Sequence, residues 1–88
     1  MEIQLPPDLP EDEVRDLRGA EAERAKDLLQ AGSIVRIWRI PGRTANVGVW
    51  SAADATELHE LITSLPLAAW SDIDVTPLAR HYLEEAGA

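Results

Sequence analysis

One carboxylate in this chain, Glu21, stands where an acidic side chain is not expected. The segment 11–31 has helical periodicity, and at about 100° per residue its apolar side chains fall on one side. Glu21 lies near the centre of that side, with Arg18 one turn earlier. Burial raises the pKa of a carboxyl group unless a partner keeps it ionised, and acid–base enzymes use such groups near neutral pH. We therefore treat Glu21 as a candidate proton-transfer base. The apolar side comprises Val14, Leu17, Ala25, Leu28 and Leu29.

The position of Glu21 also has a purely structural interpretation. Its carboxylate and the guanidinium of Arg18 are close enough along a helix to pair, and structural ion pairs shift pKa values as catalytic sites do. The two interpretations differ in what they predict for the folded chain. A base faces an open pocket, whereas a structural carboxylate is locked to Arg18.

A second group with chemical potential is an arginine cluster, Arg36, Arg39 and Arg43, in a segment, 28–53, that has no acidic residue. Guanidinium groups bind carboxylates through paired hydrogen bonds. In an otherwise acidic chain such a cluster could hold a small carboxylate. The alternative is that these arginines pair with the acidic side of the 11–31 helix.

The composition excludes several classes of protein. The net charge of −8, from 16 acidic and 8 basic residues, argues against a nucleic-acid partner, which requires a basic surface. Without cysteine there is no disulfide, thiolate zinc site or thiol nucleophile. No apolar run approaches the roughly 18 residues of a membrane span, and no signal peptide is recognisable. We predict a cytoplasmic protein with no membrane association and, because His59 and His81 are isolated, no metal site.

The order of elements predicts one domain over residues 1–88. The pattern is β-α-β-β-α-β, an α+β class of ferredoxin-like sandwich with two helices on one face of an antiparallel sheet. Pro10 precedes the first helix, and the Pro41-Gly42 turn separates two strands. Ser51 and Asp54 resemble a capping pair for the second helix. The expected strands are 2–5, 33–40, 45–50 and 70–75, the expected helices 11–31 and 51–65, and the C-terminal arm 77–88.

The apolar pattern of the second strand predicts an oligomer. With strict two-residue alternation, Val35 and Ile37 point to one face, while Ile34, Trp38 and Ile40 point to the other. A sheet that is apolar on both faces needs cover that 88 residues cannot supply. We therefore expect a homo-oligomer assembled through the sheet and the C-terminal arm.

Seven blocks of the sequence, taken in order, resemble the muconolactone isomerase family. They span almost the whole chain, and the last block, 72–81, is the most specific. The blocks are Leu5-Pro6-Pro7-Asp8, Glu21, Ile37-Trp38-Arg39-Ile40 with Gly42, Ala45-Asn46, Leu58-His59-Glu60-Leu61, Leu65-Pro66-Leu67, and Asp72-Ile73-Asp74-Val75-Thr76-Pro77-Leu78-Ala79-Arg80-His81.

The resemblance implies a ferredoxin-like subunit in a homo-oligomer, a ring-like decamer, with active sites between subunits. It implies a cofactor-free shift of a proton and a double bond. Muconolactone, a small lactone carboxylate, becomes the enol-lactone of 3-oxoadipate in β-ketoadipate-type aromatic breakdown. Glu21 matches the family's proposed base. Arg18 stands where the family usually has lysine, and would stabilise the enolate oxygen or hold the base ionised.

The same resemblance gives the candidate substrate-binding residues. Arg39, with Arg36, would bind the substrate carboxylate, and the matched blocks add Trp38, Asn46 and His59. For His59 and the tryptophans, a core or interface position is the simpler interpretation. No metal ligand and no cofactor site is implied.

The chain keeps the family's base but departs from the family at positions expected to line the pocket, so the resemblance does not fix its substrate. These positions are Ile34, Val35, Thr44, Ala68 and Ala69. Two alternatives therefore stay open: elimination of chloride from a chlorinated muconolactone, and a non-catalytic oligomeric ligand-binding module on the same scaffold. The family's first strand also begins before the position of Met1, which indicates either a short first strand or a misassigned start codon.

Overall fold

The chain folds in the order β-α-β-β-α-β, followed by a short C-terminal helix. The computed structural model describes residues 1–87, with side chains described through Glu84. The α+β, ferredoxin-like class expected from the sequence is confirmed. No helix within residues 1–87 has the length and apolar character needed to cross a membrane. The elements are β1 Glu2–Ile3, α1 Glu11–Ala31, β2 Ile34–Arg39, β3 Asn46–Trp50, α2 Ala55–Thr63, a 3₁₀ helix Ala68–Trp70, β4 Ser71–Asp72 and α3 Tyr82–Gly87.

The four strands form two antiparallel pairs, β1 with β4 and β2 with β3. Backbone bonds connect the pairs: the N–H of Ile3 donates to the carbonyl of Thr44 at 2.9 Å, and the N–H of Asn46 donates to that of Met1 at 2.9 Å. A bridge between Glu2 and Ala45 marks the same contact. These contacts place β1 beside β3, which gives the spatial order β4-β1-β3-β2.

Helix α1 has the bounds predicted from the sequence. Acidic residues fill its first turn, where the positive end of the helix dipole favours them. At its other end Gly32 adopts a left-handed conformation with φ of 82°, which glycine adopts without strain. The N–H groups of Gly32 and Ser33 then donate to the carbonyls of Leu29 and Leu28, closing the helix.

Helix α2 begins later than predicted. Asp54 is the N-cap, and its side chain accepts a hydrogen bond from the Glu57 N–H at 2.8 Å. Ser51, predicted to cap the helix, instead donates its N–H to the carbonyl of Ser33 at 2.8 Å. The predicted Ser51 cap was wrong because the backbone of Ser51 continues the contact between the β2 and β3 segments.

Strand β4 is shorter than the predicted 70–75 and follows a 3₁₀ turn. The Trp70 N–H donates to the carbonyl of Leu67 at 3.0 Å, which closes that turn. The last backbone bond between the β1 and β4 segments runs from the Gln4 N–H to the carbonyl of Trp70 at 2.7 Å. Beyond it the chain enters Pro6-Pro7, which has no N–H groups to continue the strand pairing.

One core joins the helices to the hairpin. Leu28 of α1, Ile34 of β2 and Leu65, just after α2, are buried together, and Leu61 of α2 and Trp50 of β3 pack against them. Both long helices thus contribute to the same core.

A β-bulge in β2 changes which side chains share a face. The register shifts between Ile34 and Arg36, so Val35 has no cross-strand partner. Ile37 therefore shares the core face with Ile34, while Trp38 and Arg36 lie on the opposite face. The predicted alternation, with Ile34 and Trp38 on one face, was wrong because a bulge inserts one residue into a two-residue period.

Candidate active site

Glu21 lies midway along α1 and is held by the backbone of a distant loop. Its Oε1 accepts a hydrogen bond from the N–H of Leu67 at 2.9 Å. Burial raises the pKa of Glu21, and the Leu67 hydrogen bond, which favours the ionised carboxylate, offsets part of that rise. The result is a half-buried carboxyl group whose pKa lies above its ordinary value.

Arg18 does not hold Glu21. Arg18 is exposed, and among the side chains described here the ion pairs are Arg15 with Asp16 and Arg43 with Glu2. The partner of Glu21 is a neutral amide, so the carboxylate is not neutralised as the structural interpretation required.

A second bond ties α1 to the same region one turn beyond Glu21. The Nε of Arg24 donates to the Oγ of Ser64 at 2.9 Å, and that hydroxyl donates to the carbonyl of Leu61 at 2.6 Å. Two adjacent turns of α1 are therefore bonded to the segment that ends α2. This segment, with its buried Leu65 and Leu67, positions Glu21.

The arginine cluster does not pair with the acidic side of α1. The guanidinium of Arg36 lies over the ring of Trp38, 5.2 Å from its centroid, a cation–π contact. Arg43 pairs with Glu2 of β1. Arg39 has no ion-pair partner within the described side chains, so its guanidinium is available to an anion.

Arg39 lines an open cleft of about 610 Å³ at the end of the β2–β3 hairpin. Arg39 and Asn46 are cross-strand partners and so project to the same face, which the bulge makes the core face of β2. The cleft does not include Glu21. The lining residues are Glu2, Arg39, Gly42, Arg43 and Thr44.

Chain geometry relates the cleft to Glu21. Helix α1 and β2 are joined by the Gly32 turn and meet at Leu28 and Ile34, so the part of α1 before Leu28 and the part of β2 after Ile34 both extend away from that turn. Glu21 lies about 10 Å along α1 from that contact, at a rise of about 1.5 Å per residue. Arg39 lies about 16 Å along β2, at about 3.3 Å per residue. Both therefore lie away from the Gly32 turn, with Arg39 further out.

The remaining predicted residues are dispersed. Trp38 and Arg36 lie on the opposite hairpin face from Ile34, so the strands separate them from α1. His59 is exposed on α2, and its carbonyl accepts from the Thr63 hydroxyl at 2.8 Å.

The positions at which the chain departs from the family fall into two groups, core residues and exposed residues. Ile34 is a buried core residue and Ala68 packs against that core, so these two are not open pocket walls. Val35, Thr44 and Ala69 are exposed. Thr44 donates its hydroxyl to the carbonyl of Ile3 at 3.1 Å.

Sequence reasoning missed one group at this site, the backbone N–H of Leu67. Side-chain types and spacings cannot reveal a backbone donor. The signal that could have drawn attention to it is the Leu65-Pro66-Leu67 block after α2, where a proline interrupts an apolar run and the chain turns.

Comparison with known proteins finds one family and several of its members. The family described as "Muconolactone delta-isomerase" matches residues 1–84. Muconolactone Delta-isomerase 1 of Acinetobacter lwoffii is 33% identical over 92% of this chain and 84% of its own length. The Muconolactone Delta-isomerase of Cupriavidus pinatubonensis is 35% identical over 92% and 88%. That of Pseudomonas aeruginosa is 35% identical over 92% and 84%.

Proposed function

The chain is an isomerase that belongs to the muconolactone delta-isomerase family, and from this premise we propose its reaction. The substrate is muconolactone or a related unsaturated lactone acid, and the product is the 3-oxoadipate enol-lactone or its equivalent. The reaction uses no cofactor and belongs to aromatic breakdown of the β-ketoadipate type in the cytoplasm. The observation that carries the proposal is Glu21, a half-buried carboxylate held by a neutral amide donor.

The proposed chemistry is one proton moved between two carbons. The Glu21 carboxylate takes the γ-proton of the lactone, and the electrons of the broken C–H bond spread into a dienolate. The resulting carboxylic acid returns the proton to the α-carbon, which restores the base and leaves the double bond shifted. A carboxyl group with a raised pKa suits both steps, because it is a stronger base than an exposed carboxylate and can then donate.

Arginines supply the charge in this proposal. Arg39, which has no partner among the described side chains and lines the open cleft, binds the substrate carboxylate through paired hydrogen bonds. Arg18, exposed on α1 one turn before Glu21, stabilises the enolate oxygen as charge develops there. Asn46 lies on the same strand face as Arg39 and contributes to binding.

Trp38, Arg36 and His59 enter the proposal only through assembly. On the outer hairpin face, Trp38 is 48% exposed and Val47 is 53% exposed, while Leu78 of the C-terminal arm is 80% exposed. We propose a homo-oligomer, a decamer by the family resemblance, in which arm and hairpin surfaces of different subunits cover one another. Residues on that outer face would then reach the site of a neighbouring subunit. Light scattering at micromolar concentration tests this assembly, and a monomer contradicts it.

The direct test of the activity is an absorbance assay with muconolactone. The native chain should convert it, Glu21→Gln should not, and Glu23→Gln, an exposed neighbour on α1, should match the native rate. A chlorinated muconolactone assayed in parallel, with released chloride measured, distinguishes elimination from isomerisation. Tight binding of the lactone without conversion of either compound would favour the non-catalytic module.

A further inference from the structure

We propose that the backbone N–H of Leu67 is the positioning group of the active site. By holding Oε1 of Glu21, it leaves Oε2 as the oxygen that takes and returns the substrate proton. This inference rests on the proposed function of Glu21 as the base. Leu67 acts through Glu21 and does not itself contact the reacting atoms.

The Leu67 amide is a rigid donor. Its side chain is 1% exposed, and its carbonyl accepts from the Trp70 N–H at 3.0 Å and from the Ser71 hydroxyl at 2.7 Å. Leu67 is therefore restrained by the packing of its side chain and by the two bonds to its carbonyl, which lies in the peptide unit after the donor N–H. A group restrained in this way can orient a carboxylate to the accuracy that proton transfer requires.

The bond to Leu67 uses only one carboxylate oxygen. Within the part of the chain whose side chains are described, no other hydrogen bond or ion pair reaches Glu21, so Oε2 has no competing partner there. An arginine in place of the amide would occupy both oxygens in a bidentate pair and strongly favour the ionised form. A single neutral donor orients the base and leaves its second oxygen open.

Few other titratable groups face this bond. The segment 64–70, which contains Leu67, has none. On α1, Arg24 is bonded to Ser64. The charged or titratable groups of these elements nearest in the chain are Arg18, Glu23 and Arg24 within one turn of Glu21 on α1, with Glu57, His59 and Glu60 on α2 and Arg36 and Arg39 on β2.

The first experiment uses the native chain and needs no substrate. The carboxyl carbon of Glu21 and the amide of Leu67 are followed together by NMR across a pH series. We expect the Leu67 amide proton to move downfield with the same midpoint as the Glu21 carboxyl, because the hydrogen bond strengthens as its acceptor ionises. In Glu21→Gln the amide should lose that transition. A Leu67 amide that does not titrate with Glu21 overturns the proposal.

The second experiment removes the donor and keeps the side chain. Incorporating the α-hydroxy acid analogue of leucine at position 67 replaces the N–H with an ester oxygen. The same replacement at Ala52, which is exposed and lies outside the helices and strands, controls for the ester itself. Because the N–H stabilises the ionised form, its loss should raise the pKa of Glu21 and move the acid limb of the kcat/KM profile to higher pH by the same amount. The Ala52 ester should leave both at their native values.

The outcomes separate this inference from the proposed function. An unchanged Glu21 pKa in the Leu67 ester, with circular dichroism showing a native fold, overturns the positioning role whatever the substrate. A raised pKa with an unmoved rate profile also overturns it, because the bond is then structural. If the native chain does not convert muconolactone, the proposed substrate fails, while the NMR midpoints still test the bond between Leu67 and Glu21.

Discussion

Two carboxylates of this protein are each held by a single partner, and they differ in almost every other respect. Glu21 is half-buried on α1 and bonded to the backbone N–H of Leu67. Glu2 is on β1 at the rim of the open cleft and is paired with the guanidinium of Arg43. The first partner is neutral and restrained by the core, whereas the second is a cation on a flexible, 61% exposed side chain.

The difference shows how a small domain can hold one acid in place without pairing it with a cation. Pairing with a cation holds a carboxylate ionised and occupies it, whereas an amide donor orients it without supplying charge. Desolvation then dominates at Glu21 and raises its pKa. We therefore propose proton-transfer chemistry for the Glu21 region and anion binding for the cleft that contains Arg39.

The largest expected effect is the loss of turnover in Glu21→Gln. Removal of a general base costs about 10²- to 10⁴-fold in rate. The glutamine carbonyl can still accept from the Leu67 N–H, so the fold should be retained. Steady-state rates with muconolactone measure the effect, and Glu2→Gln in the other region is the matched control. A Glu21→Gln enzyme with near-native turnover would remove Glu21 from the mechanism.

Truncation of Leu67 should lower the free energy of unfolding more than a change at the cleft does. Leu67→Ala removes a fully buried side chain and should lower the free energy of unfolding by about 2–5 kcal/mol. Thr44→Val, which removes an exposed hydroxyl bond at the cleft, should change it by about 1 kcal/mol or less. Urea denaturation compares the two variants. Equal losses would mean that the cleft is as well packed as the core.

Arg39→Ala should act on binding more than on chemistry. Loss of charge-assisted hydrogen bonds of about 1.5–3 kcal/mol should raise KM roughly 10- to 100-fold, with a smaller fall in kcat. Arg43→Ala is the matched control, because Glu2 already occupies Arg43. If the Arg43 variant had the larger effect on KM, the substrate carboxylate would have been assigned to the wrong guanidinium.

The pH dependence of the free energy of unfolding should reveal the raised pKa of Glu21. Because its pKa is raised in the folded state, the native chain binds more protons than the unfolded chain between the two pKa values. The contribution of Glu21 to stability is therefore fully present below the unfolded pKa and is lost as the pH rises through the folded pKa. Glu21→Gln should lack this loss in urea unfolding across acidic to neutral pH, whereas Glu23→Gln should retain it. Parallel curves for all three proteins would contradict the raised pKa.

The smallest expected effect belongs to the pair of Glu2 and Arg43. Exposed ion pairs contribute about 0–1 kcal/mol, and salt weakens them further. A double-mutant cycle with Glu2→Gln and Arg43→Ala should give a coupling free energy in that range that declines with added salt. A coupling well above it would show that this pair is as constrained as the bond between Glu21 and Leu67.

Local signals explain why some elements were predicted correctly and others were not. Helix α1 was predicted at its observed bounds because a helical stripe and the stop signal of Gly32 are both local. The α2 cap was misplaced because Ser51 and Asp54 are equally good capping residues in sequence. Only the strand contact made by Ser51 decides between them. The alternation of β2 was wrong because the bulge at Val35 depends on the register of another strand.

The sequence by itself determined the family, the helical position of Glu21 on an apolar stripe, and the concentration of arginines in an acid-free segment. These follow from residue order and helical periodicity. The tertiary structure alone decided what holds each charge: a backbone amide for Glu21, the Trp38 ring for Arg36, Glu2 for Arg43, and no described ion-pair partner for Arg39. Such contacts join residues that are distant in the chain, or residues whose face of the strand is changed by a bulge. Because pKa and ligand access depend on desolvation and on nearby donors, they are properties of the folded chain.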